Sequence, residues 1–85
     1  MSAGKTSEAA RRNTRQREAI RAAFLARPRP LSPAEVLEYA REQAPGLGLA
    51  TVYRNLRSLV EEGWLAAVEL PGHSTLYERA EEKHH

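Results

Sequence analysis

Apolar residues recur along this chain with a period near 3.6 as far as residue 62, and with a period of two after Gly63. The clearest helical run starts at Leu49. Leu49, Val52, Leu56, Leu59 and Val60 fall at i, i+3, i+7, i+10 and i+11. At about 100° per residue they gather into one stripe. The opposite face carries Thr51, Arg54, Arg57 and Ser58, with Tyr53 and Asn55 on its flanks. Gly63 stands where a glycine just past a helix end would stop it, so the spacing predicts a helix over 49–62.

Upstream, residues 1–13 read as a basic arm, with a short helix over 6–12 interrupted at Asn13-Thr14. Thr14 reads as the N-cap of a second helix, 15–26, burying Ile20, Ala23, Phe24 and the stem of Arg27. Arg15 and Arg17 then fall in its first turn. Positive charge opposes the helix dipole there, which suggests an anion to meet them. Arg27-Pro28-Arg29-Pro30 is a stiff connection. Leu31-Ser32-Pro33-Ala34-Glu35-Val36 carries a full start signature. Ser32 is N-cap, Pro33 N1 and Glu35 the capping-box partner, with Leu31 and Val36 as hydrophobic staple. That helix should run to about Gln43, burying Val36, Leu37 and Ala40. A short turn, Pro45-Gly46-Leu47-Gly48, links it to the helix at 49, with Gly48 as N-cap.

The two-residue period gives strands over 64–70 and 75–78, joined by turn chemistry at Pro71-Gly72-His73-Ser74. A lone hairpin is marginal in water, so this one should pack on the helices through Trp64, Val68, Leu70 and Leu76. Trp64 is expected to lie half-buried beneath it. The fold class expected is α+β: a winged helix-turn-helix over 14–80, with three or four helices followed by a two-strand β-hairpin wing.

Composition narrows the function. Eighty-five residues make one small domain. There is no cysteine, which removes disulfides and thiolate chemistry. No apolar run approaches a membrane span and no signal-peptide core is present, so a soluble cytoplasmic protein with no membrane partner is the expectation. The net charge of +2 is unevenly placed: +6 over residues 1–30 and −4 over 58–85. A basic end suits nucleic acid. On the helix 49–62, Arg can fork onto guanine, Asn can pair with adenine, and Thr or Tyr can meet a thymine methyl or a phosphate. Taken alone, that face also fits an ordinary solvated helix, or a protein–protein interaction module that docks an acidic partner. An enzyme finds no support: there is no Ser/His/Asp set, phosphate loop or paired carboxylate. Glu61-Glu62 reads as a solvated helix end, and His73 as a solvated turn residue.

Thr14-x-Gln16-Arg17, Ser32-x-Ala34-Glu35, Ala50-Thr51-Val52-Tyr53-Arg54-Asn55-Leu56, Glu61-x-Gly63 and Tyr77-Glu78 occur in that order. With them the chain, over roughly 10–85, resembles the N-terminal domain of the ferric uptake regulator family, metal- and peroxide-responsive bacterial repressors. The resemblance implies a winged helix that binds double-stranded DNA at AT-rich inverted repeats as a homodimer, with helix 49–62 in the major groove. It gives Tyr53 van der Waals contact to bases and Arg54 a base edge or phosphate. Thr51, Asn55 and Arg57 would position the backbone, Arg12 would enter the minor groove, and Arg17 would meet a phosphate.

The departures from the pattern concern metal. The resemblance implies a divalent metal, zinc or iron, for the full-length protein, with a dimerisation domain following a hinge that residues 81–85 would begin. That domain, with its paired Cys motifs, is not in this chain. Glu78 and His85 match two positions of the regulatory site, an incomplete set, while Pro30 stands where many members place a His. His84 and His85 read equally well as an affinity tag. Arg54, where peroxide sensors of the family often have Asn, leans toward an iron or zinc regulator.

Overall fold

The computed structural model describes residues 3–80, with side chains described from residue 11. Its elements follow in the order α1 (Ala3–Ala26), α2 (Pro33–Ala40), α3 (Leu49–Glu61), β1 (Leu65–Val68) and β2 (Leu76–Arg79). The wing is an antiparallel pair with Leu65 opposite Arg79 and Val68 opposite Leu76. Helices followed by a two-strand hairpin are the winged helix the periodicity predicts.

The core is assembled from one side of each element. α1 contributes Ala19, Ile20, Ala23 and Phe24; α2 contributes Val36 and Ala40; α3 contributes Val52, Leu56 and Leu59; Leu31, Ala44, Leu47 and Leu65 close it. Among the described residues, no polar or charged residue is buried with them. α2 begins as its signature requires. The Glu35 N–H donates to the Ser32 hydroxyl at 3.2 Å, and the Ser32 N–H donates to Glu35 Oε1 at 2.9 Å. Both staple residues, Leu31 and Val36, are buried. α3 starts at Gly48, which offers no side-chain cap, and ends just before Gly63, whose φ of 85° is the left-handed conformation that a helix-terminating glycine adopts at little cost.

Several expectations are corrected. α1 is one continuous helix, so Asn13-Thr14 does not interrupt it and Thr14 is not an N-cap. Residues 11–15 are exposed, and an exposed Asn-Thr pair weakens a helix by only tenths of a kcal/mol, too little to break one already running into a core. Arg15 and Arg17 therefore lie in mid-helix, where no free backbone N–H awaits an anion. α2 ends at Ala40 rather than near Gln43, and residues 41–43 are turn.

The hairpin is anchored differently from the expectation too. Leu70 is exposed, and Leu65 is the wing residue that enters the core. Leu31 also pairs with Tyr77 as a one-residue third strand, through hydrogen bonds of 2.8 and 2.9 Å. Trp64 is half-buried as expected. Its ring stands edge-on to Phe24 at 6.3 Å, with Arg21 and Arg79 guanidinium groups over it at 4.8 and 4.2 Å. Nε and Nη1 of Arg79 are buried with no hydrogen-bond acceptor among the described residues, so the negative face of the indole is their electrostatic partner. No described helix is long and apolar enough to cross a membrane.

Candidate nucleic-acid interface

α3 holds a polar face outward because its other face has nowhere else to go. Val52, Leu56 and Leu59 have no exposed surface, which fixes the rotation of the helix about its axis. Tyr53, Arg54 and Arg57 then project into solvent, Tyr53 with half its surface exposed, and Thr51 and Asn55 are half-buried at the edge. Leu49, expected within the buried stripe, is 43% exposed. Its angular position matches the stripe, but it occupies the first residue of the helix, where the core has ended.

The polar groups differ in what they have left to offer. The Asn55 side-chain amide donates to the Thr51 carbonyl at 2.9 Å, so one of its donors is engaged along the helix. Arg54 and Arg57 have no hydrogen bond or ion pair with any described residue. Two unengaged guanidinium groups and an exposed phenol on a rigid helix can meet a grooved, anionic, hydrogen-bonding surface.

α1 contributes a second basic surface. Arg12 and Arg15 are exposed and line a groove of about 480 Å³ with Arg11, Gln16 and the turn Ala44–Gly46 that leads into α3. Arg11 was not among the residues singled out from the sequence. Its signal is the i, i+4 spacing to Arg15, which counts only once the helix is known to be continuous. Arg17 sits elsewhere: it pairs with Glu62, the residue capping the C-terminus of α3. That pairing holds the Glu62 carboxyl below the usual carboxylate range, with a smaller contribution from the Ser58 hydroxyl. Glu62 is thus a partnered residue and not simply a solvated helix end.

Of the two candidate metal positions, Glu78 lies within the described residues. Glu78, opposite Ala66 in the wing, lines a groove with Arg27, Arg29 and Arg79. One carboxylate among three guanidinium groups does not fit a divalent cation, which needs several anionic or imidazole ligands converging. No group of three or more His, Cys, Asp or Glu suited to a metal occurs among the described residues. His85 lies outside them.

The fold and this face define a winged-helix domain of the kind found in transcription regulators. Residues 8–85 match the model of the ferric uptake regulator family, and the chain belongs to that family. It is similar to the zinc uptake regulator FurB of M. tuberculosis, at 33% identity over 93% of this chain and 61% of that one, with a TM-score of 0.78. It is also similar to the Campylobacter jejuni peroxide stress regulator, at 25% identity over 99% of this chain and 62% of that one, with a TM-score of 0.77. The Helicobacter pylori ferric uptake regulator Fur, described as having three functional metal binding sites, matches at 28% identity over 82% of this chain and 47% of that one, with a TM-score of 0.72. The chain thus spans between about half and three-fifths of these relatives' length. A search of curated protein sequences gave no match.

Proposed function

We propose that this domain is the sequence-specific reading head of a metal- or peroxide-responsive repressor, laying α3 in the major groove of one half of an AT-rich inverted repeat. The observation that carries the reading is the exposed Tyr53, Arg54 and Arg57 on a helix whose rotation is locked by three fully buried residues. Tyr53 packs against bases, thymine methyls in particular. Arg54 reaches a base edge. Thr51, Asn55 and Arg57 set the register against the backbone. Arg12 approaches the minor groove, whose narrow A·T tracts attract cations, and Arg15 and Arg17 meet phosphates. Metal sensing, by zinc or iron, and dimerisation belong to the whole cytoplasmic protein, through residues beyond this domain. Support comes from family membership and from relatives described as ferric and zinc uptake regulators and a peroxide stress regulator.

A gel shift on an AT-rich inverted-repeat duplex tests it. One winged-helix module buries little surface, so the single domain should bind weakly and with steep salt dependence. Arg54→Ala should cost about 1–3 kcal/mol and relax base preference, while Arg15→Ala, which removes a phosphate contact, should weaken all duplexes alike and lower the salt slope by about one. If both substitutions weaken every duplex equally, Arg54 reads no base. Salt-independent capture of an acidic protein, with no duplex bound, would favour the protein-interaction reading instead.

A further inference from the structure

Arg17 is not free to meet a phosphate in the unbound domain. Its Nη2 donates to Glu62 Oε2, and the same oxygen lies 3.5 Å from the Ser58 hydroxyl that donates to it. Arg21, one turn further along α1, also acts electrostatically on Glu62, but its guanidinium group is stacked over Trp64. Glu62 therefore takes its hydrogen bonds from Arg17 and Ser58. The pair bridges two elements, joining the middle of α1 to the C-terminal end of α3, on the side of α3 that carries Thr51, Asn55 and Ser58. Arg17 and Glu62 keep 31% and 51% of their side-chain surface exposed. A large anion can approach Arg17 without any core residue moving.

A carboxylate and a phosphate are alternative partners for one guanidinium fork, and the phosphate of a duplex brings a stronger field. We propose that Glu62 is a built-in competitor for the DNA backbone: it holds Arg17 in the free domain and gives it up when a phosphate arrives. The inference rests on the reading that Arg17 contacts phosphate. Glu62 then lowers affinity for every duplex to a similar degree, since the exchanged contact reads no base. An exposed ion pair of this kind is worth roughly a factor of two to five in an equilibrium constant.

The test uses the full chain, an AT-rich inverted-repeat duplex and a GC-rich duplex of equal length, with affinities from fluorescence anisotropy over a range of salt. Glu61→Gln is the control, because Glu61 is exposed and has no hydrogen bond or ion pair among the described residues, yet changes the charge identically. Thermal midpoints establish that each variant is folded. Glu62→Gln should tighten binding to both duplexes by roughly two- to five-fold beyond any gain from Glu61→Gln. In an Arg17→Ala background that extra gain should vanish. An equal gain from Glu61→Gln, or a gain that survives Arg17→Ala, would reduce Glu62 to general repulsion and overturn the proposal. Weaker binding by a folded Glu62→Gln would make the pair a contact that positions Arg17, again overturning it. Should Arg17→Ala alone leave affinity and salt slope unchanged, the phosphate role of Arg17 fails first. The binding of α3 to DNA would then stand while this inference falls.

Discussion

Leu56 and Tyr53 are three residues apart on one helix and should respond to substitution in opposite ways. Leu56 has no exposed surface and touches a core shared by all three helices, so Leu56→Ala leaves a cavity. Its cost should be about 2–5 kcal/mol, a large part of what a domain of this size has in total. Tyr53 is half exposed, and Tyr53→Ala should change stability by no more than about 0.5 kcal/mol while removing a base contact. Urea unfolding and duplex binding on both variants separate the two. A Tyr53→Ala protein as unstable as Leu56→Ala would mean that the ring holds the fold together. Gly63 isolates a third effect. A Cβ there would meet nothing within 4 Å, so the cost of Gly63→Ala, about 1 kcal/mol, comes only from its φ of 85°. Gly63→Asn should recover part of it, because Asn tolerates that conformation better.

At the scale of elements, α2 shows how far local chemistry reaches. Eight residues make a weak helix, and its start is held by the Ser32–Glu35 exchange. Ser32→Ala should cost about 1 kcal/mol. The Ser32 backbone N–H lowers the Glu35 carboxyl from its ordinary value of 4.5; burial opposes it, and Arg29 adds to the lowering. A carboxyl lowered in the folded state contributes stability above its unfolded value and loses it as pH falls through the folded one. The Glu35-dependent share should therefore be intact near neutral pH and disappear below about pH 4.5. Glu35→Gln keeps a capping-box side chain and should flatten that part of the acid-unfolding curve. An unchanged acid limb would show that the carboxylate does not contribute.

Contacts between near neighbours in the chain are legible in the sequence. The start of α2, the stripe and stop of α3, and the exposed Tyr53–Arg57 face depend on neighbours within four or five positions, and all could be read. The false break at Asn13-Thr14 came from cap chemistry that is real but weak beside an uninterrupted helix. The Leu31–Tyr77 bridge, the Arg17–Glu62 pair and the Arg21–Trp64–Arg79 stack join positions between 15 and 46 residues apart. No periodicity carries that information. Leu70 was misplaced for a related reason: alternation assigns it a face, but the strand ends at Val68 before that face meets the core.

The whole molecule should unfold as one unit, wing included. Two strands of four residues are too short to persist alone. Here the wing is tied down three times. Leu65 is buried in the helical core, Tyr77 pairs with Leu31 beside the start of α2, and Trp64 is held between Phe24, Arg21 and Arg79. Each tie joins the wing to a different part of the chain, so loosening the wing exposes core residues of α1 and α3 as well. Trp64 is the only tryptophan and reports on the wing directly, whereas far-UV circular dichroism reports on the helices. Thermal unfolding followed by the two signals should superimpose, with a single midpoint. Leu65→Ala should lower both midpoints together, since it opens the junction rather than either side of it. A tryptophan transition that precedes loss of helix would mean that the wing melts as a separate unit. The hairpin would then be an appendage of the helical core, free to adjust to its partner independently of the rigid seating of α3.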